Sequence, residues 1–274
     1  MKSRLHPIVG VVAMFTMAML YVPLLVVAVF SFNTAKYGFV WRGFTFQWYL
    51  RLLNEPAYLE AARNTLILAV ASTAIATVLG TALSLGMTRA PWPKGFGKYL
   101  DFMVYLPVVS PDIIFAAAAL VSFGILRAVS SLFELGLFTM IIAHVTFQIS
   151  FVTLVVNSRL AAIGKTIQEA ARDLYADSWT MLRRVLLPLL APGIVAGAMM
   201  AFTLSLDDFI ISFFTCGPES TTLPILIYAS LRRGMPPEIR ALSTVIFLIT
   251  FVLVMALEWL SRYGKEPSDE TKQA

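Results

Sequence analysis

The chain has 274 residues, 58% hydrophobic and only 14% charged, with a formal net charge of +5. Soluble domains carry about 25% charged residues, so this deficit, with a mean hydropathy of +0.79, excludes a single soluble core and places most of the chain in lipid. One cysteine, Cys216, excludes an intrachain disulfide, and so modest a charge excess reads as loop asymmetry around membrane spans, with no nucleic-acid partner.

Six apolar segments, at about 8–30, 64–87, 102–126, 137–157, 188–213 and 241–261, are each long enough to cross ~30 Å of hydrocarbon at ~1.5 Å per residue. They predict an all-α fold, a polytopic helical bundle of six transmembrane helices. With the N-terminus inside, the internal segments hold 13 of the 21 Lys and Arg residues and the external ones 8. The positive-inside rule then puts both termini in the cytoplasm.

The first segment contains Pro23 and lacks an A-x-A cleavage site, so it is read as an uncleaved span. The external loop that follows, 31–63, is aromatic, and Phe46–Leu53 fits a short interfacial helix. On the second span Ser72, Ala76, Gly80 and Ser84 form a stripe of small residues. Such stripes let helix backbones approach closely, within the chain or against a second subunit. In the third span Asp112 follows Pro107 and Pro111, and either pins a broken helix or serves a pathway. The fourth span carries His144 with Gln148 one turn later; His144 reads equally as a buried hydrogen-bonding residue or a pathway group.

The internal loop 158–187 is long, charged and helix-patterned, with Asp177 or Ser178 placed to cap a second short helix. The fifth span repeats the small-residue stripe at Gly193, Gly197, Ala201 and Ser205. Near its external end stands the pair Asp207–Asp208. Helical spacing puts Ser205, Asp208 and Ser212 on one face, and groups Asp207 with Thr203 about 100° away. The loop 214–240 holds four prolines and a short helix at Ile225–Arg232, and 263–274 reads as a polar tail.

No Walker A, HExxH or cysteine–histidine cluster is present. The chain therefore binds no cofactor or metal of its own, is not an enzyme, and does not hydrolyse ATP.

Within the internal loop, Glu169-Ala170-Ala171 is followed by Val185, Leu187 and Pro188. This spacing resembles the EAA, three residues, Gly, nine residues, I-x-L-P motif of ABC import permeases. Ser31-Phe-Asn33, Ser110-Pro-Asp112, Ala143-His-Val-Thr-Phe147, Phe202 to Asp208 and Thr222-Leu-Pro224 resemble the polyamine (spermidine/putrescine) branch, and the second of its two permeases. The resemblance implies one type I permease domain over 1–274 in the bacterial inner membrane. It implies as partners a cytosolic ABC ATPase dimer that carries ATP and Mg, a second homologous permease, and a periplasmic substrate-binding protein, with lipid around them. It also implies that Glu169, Ala170, Ala171, Tyr175, Val185, Leu187 and Pro188 form the ATPase-coupling segment. Tyr175 stands at the family's glycine position, and a relocated turn with negative φ at Tyr175 is expected. For a cationic cargo, Asp208 with Ser205 and Ser212 is expected to face the translocation path, with Asp207 and Asp112 as further candidates. The alternatives are a stand-alone ion-coupled carrier or channel for a small cationic solute, and a membrane enzyme. The long EAA-type loop and the absence of a nucleophile or metal set argue against them.

Overall fold

In lipid every backbone polar group must be paired within its own segment, so apolar runs fold as helices. The computed structural model describes residues 7–263 apart from 37, 39, 90, 94, 165 and 235. In the helices, the side chains at 7, 8, 166, 168, 250, 253, 254 and 256–263 lie outside the description. The expected tail, past Tyr263, is also outside it, as are Lys2, Arg4, Lys94, Lys165, Lys265 and Lys272 from the charge asymmetry.

In chain order the helices are α1 Pro7–Phe30, α2 Gln47–Asn54, α3 Pro56–Arg89, α4 Phe96–Val109, α5 Asp112–Arg127, α6 Leu137–Ile163, α7 Thr166–Asp173, α8 Ser178–Thr180, α9 Leu187–Leu206, α10 Ile210–Thr215, α11 Leu223–Arg232 and α12 Pro237–Tyr263. A π-helical turn, Met181–Leu186, joins α8 to α9. The short helices expected at Phe46–Leu53 and Ile225–Arg232 are found as α2 and α11.

The chain is an all-α polytopic bundle, but the six expected spans are corrected. Among the described residues four helices are long and apolar enough to cross a membrane, or five if a bent pair counts as one. The bent pair is the third expected span, 102–126. It splits into α4 and α5, which meet at 107°. Ser110 and Pro111 between them are extended, with ψ of 141° and 134°. A proline lacks the N–H to continue a helix and biases its predecessor away from helical ψ. The sixth expected segment, 241–261, lies in α12, where many side chains fall outside the description, and it is not among the four. The fifth ends at Leu206 rather than 213, because the helix stops before Asp207 and resumes at Ile210.

The chain divides into two compact units, one of residues 1–59 with 227–274, the other of residues 60–226. In the first, α1 and α2 pack on α12. Asn33 organises its loop: the amide donates to Val40 O and accepts from the backbone N–H of Ala35 and Arg42, while Asn33 O accepts from Trp48 Nε1. Arg240 of α12 donates to the carbonyls of Ala35 and Lys36, and Arg51 pairs with Glu238 at 3.3 Å.

In the second unit α6 packs against α9, α4, α5 and α10. Both small-residue stripes are buried, and both serve packing within the chain. A Cβ on Gly80 would lie 2.8 Å from the Val152 side chain, and one on Gly193 would lie 2.6 Å from Arg159 Cβ. Thr153 Oγ1 donates to Gly80 O, Ser84 Oγ donates to Asn157 Oδ1, and Ser72 Oγ meets Ser205 Oγ at 3.2 Å. Close backbone approach is what replaces a hydrophobic drive between helices in lipid.

Candidate functional site

Two groups of the sequence-derived residues come together, at opposite ends of α6. The first is the segment after Ile163. Gly164, with φ of 72°, turns the chain out of α6 into α7. On α7 Glu169 and Ala170 are exposed, while Ala171 is half-buried against a cluster of Val152, Val156, Leu160, Met181, Leu186 and Leu190. Val185 packs on the same cluster. Leu187 is half-buried, and Pro188 is exposed in the first turn of α9, directly after the π-helical turn. Glu169 and Arg172 of α7, with Thr88 and Arg89 of α3 and Asn157 of α6, help line a cavity of about 350 Å³.

Tyr175 has a φ of +57°, so the expectation of a relocated turn with negative φ is overturned. Its N–H donates to Arg172 O at 2.9 Å and the N–H of Ala176 donates to Ala171 O at 3.1 Å. These two bonds make the Schellman ending of α7, with tyrosine in the left-handed position that glycine normally takes. Leu174, Tyr175 and Trp179 are exposed at this end. Asp177, not Ser178, caps α8: its carboxylate accepts from the N–H groups of Trp179 and Thr180, each at 3.3 Å. The Thr180 hydroxyl and these N–H groups hold the Asp177 carboxyl below the usual carboxylate range.

The second group surrounds His144, whose ring is buried on α6. Nδ1 lies 2.9 Å from Ser205 Oγ; Nε2 lies 3.1 Å from Ser212 Oγ and 3.3 Å from Asp208 Oδ2. Asp208 sits in the break between α9 and α10. Its Oδ1 accepts from Ile211 N at 3.2 Å and its Oδ2 from Ser212 N at 2.7 Å. Ser205, Asp208 and Ser212 therefore do share a side, and they share it around an imidazole. Asp207 is exposed at the C-terminus of α9, apart from this cluster. Asp112 is exposed in the first turn of α5, and none of the cluster's hydrogen bonds reaches it. Gln148, one turn beyond His144, is 1% exposed, and neither amide atom has a partner among the described residues. Among the described residues no group of three His, Cys, Asp or Glu could hold a metal ion.

Sequence reading missed the π-helical turn, the break at 207–209 and the partners of His144. The pair Asp207–Asp208 near a span's end was the signal that could have found the break, since aspartate caps helices.

A family model described as binding-protein-dependent transport system inner membrane component matches residues 79–263. The chain is 37% identical over 246 residues to the spermidine/putrescine transport system permease protein PotC of Escherichia coli (strain K12), covering 89% of this chain and 90% of that protein. It is 38% identical over 228 residues to the putrescine transport system permease protein PotI of the same strain, covering 83% and 81%. In three dimensions it is similar to a chain of a bacterial ABC transporter involved in import of the acidic polysaccharide alginate, with a TM-score of 0.75, 18% identity and 95% of each chain covered. A chain of the inward-facing MetNI methionine ABC transporter gives a TM-score of 0.63 at 18% identity, covering 77% of this chain and 99% of that one. At such identity these two likenesses show the fold alone.

Proposed function

The chain belongs to the binding-protein-dependent transport system inner membrane components, and we propose that it moves a polyamine such as spermidine or putrescine inward as the second of two paired permeases. It is a multi-pass inner-membrane protein, the permease subunit of an ABC importer, and it is not itself catalytic. The remaining parts belong to partners: an ATPase dimer that binds ATP and Mg, a second homologous permease, and a periplasmic binding protein. In this reading both termini and the segment 164–188 face the cytosol.

The observation that carries the polyamine reading is the identity of 37% and 38%, over most of the chain, to permeases named for spermidine/putrescine and for putrescine. The chemistry agrees with it. Asp208 offers a carboxylate beside the external end of α9, and a carboxylate attracts ammonium groups by Coulomb interaction without demanding a particular carbon skeleton. The coupling role of Glu169, Ala170, Ala171, Tyr175, Val185, Leu187 and Pro188 is supported by the exposure of Glu169 and Ala170 on α7 and of Tyr175 just past it, while Ala171 and Val185 anchor the segment to the core. Cells lacking their own polyamine importers, supplied with this chain and its partner subunits, are expected to accumulate labelled putrescine or spermidine. Accumulation no higher than in cells given an ATPase-dead partner would refute the reading.

A further inference from the structure

Three helices of the 60–226 unit meet at one imidazole, and the direction of each hydrogen bond there can be worked out. A carboxylate only accepts, so its approach to His144 Nε2 at 3.3 Å puts the ring hydrogen on Nε2, where Asp208 Oδ2 shares it with Ser212 Oγ at 3.1 Å. In the neutral ring Nδ1 is then the acceptor, and the Ser205 hydroxyl donates to it at 2.9 Å. Ser205 Oγ in turn accepts from the Ser72 hydroxyl at 3.2 Å. One ordered line results, from Ser72 on α3 through Ser205 on α9 and His144 on α6 to Asp208. The backbone N–H of Ser212 also reaches Oδ2, so both lone pairs of that oxygen are engaged. Oδ1 accepts from Ile211 N alone among the described residues and keeps one lone pair open.

We propose that His144 is a positioning residue for Asp208: it pins Oδ2 to α6 so that Oδ1 presents a single open lone pair to a passing ammonium group. The inference rests on the reading of Asp208 as a carboxylate of the cation path. A single open lone pair takes one N–H of a cation, which suits a contact that must release its cargo. Without His144 the carboxylate keeps its two backbone bonds to Ile211 and Ser212 but loses its tie to α6, so Asp208 and the start of α10 shift together and lose that aim.

The test is a double-mutant cycle in the complete transporter, with ATPase, second permease and binding protein, read as the rate of labelled putrescine uptake at equal membrane levels. His144→Ala and Asp208→Asn each lower the rate about tenfold, and the double variant is no slower than Asp208→Asn alone. His144→Gln, whose amide can both donate toward Asp208 and accept from Ser205, recovers most of the loss. A double variant slowed about a hundredfold, the product of the single losses, overturns the proposal and leaves the reading of Asp208 standing. So does a Gln variant as slow as Ala. Wild-type uptake by Asp208→Asn overturns the reading and the proposal together. If His144→Ala does not reach the membrane, the cycle is run with His144→Gln, whose residual loss must likewise vanish on the Asp208→Asn background.

Discussion

Tyr175 holds a backbone conformation that costs an L-residue of order 1–2 kcal/mol, because its Cβ crowds the next carbonyl. With its side chain 97% exposed, the tyrosine gains almost nothing from the rest of the chain in return. What keeps it there is the pair of hydrogen bonds that close α7 and seat Ala171 on the core. Tyr175→Gly is therefore expected to stabilise the end of α7 by about 1 kcal/mol, seen as about fivefold slower hydrogen exchange of its amides. Unchanged or faster exchange would show that the left-handed position carries no strain here. Reading the sequence missed this because it weighed the residue type, which disfavours positive φ, and could not see the closing bonds. His144 was legible as an intramembrane polar residue. Its partners were not, because Ser205 and Ser212 lie 61 and 68 residues further on and no local periodicity ties them to it.

The long apolar helices followed directly from run length and hydropathy, and the small-residue stripes correctly marked where α3 and α9 close on α6. The sharpest statement of that packing is Gly80. An added Cβ would meet the Val152 side chain at 2.8 Å and the Ile149 carbonyl at 3.0 Å, and the carbonyl cannot rotate away. Gly80→Ala is expected to destabilise the detergent-solubilised protein by about 1–3 kcal/mol. Gly86, on the same helix, has nothing within 4 Å of an added Cβ. Gly86→Ala should be neutral or stabilise by up to about 1 kcal/mol through helix propensity. Equal thermal shifts for the two variants would deny the close α3–α6 approach. Breaks were harder to read than helices. Pro107 is accommodated inside α4 whereas Pro111 coincides with the 107° bend, and residue type alone does not distinguish them. The break at 207–209 contains no proline. It is held by Asp208 capping Ile211 and Ser212 while tied to His144, a tertiary arrangement that a helical-period pattern across 188–213 conceals.

Across the second unit, α6 connects the two sites. His144 and Leu160 are sixteen residues apart, about 24 Å along a helix rising ~1.5 Å per residue. Leu160, Val156 and Val152 form the surface on which Ala171 and Val185 rest, and Met181 and Leu186 of the π-helical turn join them. In the proposed coupling a push on α7 would act on α6 through Ala171 and on α9 through that turn, and the His144–Asp208 cluster joins α6 to the end of α9. π-turns recur at functional sites, and this one lies between the exposed α7 and the buried stripe of α9. The residue best placed to receive the push is Glu169, exposed on α7 and facing a cavity shared with Arg89 and Arg172. Glu169→Lys would put a third cation beside two arginines and remove an acid from the first turn of α7, where the helix dipole favours one by about 0.3–1 kcal/mol. The expected outcome is normal membrane insertion with ATPase co-purification lowered about tenfold at low salt, the deficit shrinking as salt screens the repulsion. Glu169→Gln, which removes charge without reversing it, should fall between the Lys variant and wild type. If the Lys variant in proteoliposomes still shows full substrate-stimulated ATP hydrolysis, Glu169 has no part in docking, and the proposed contact moves to the exposed Leu174 and Tyr175 past the end of α7 and Trp179 on α8.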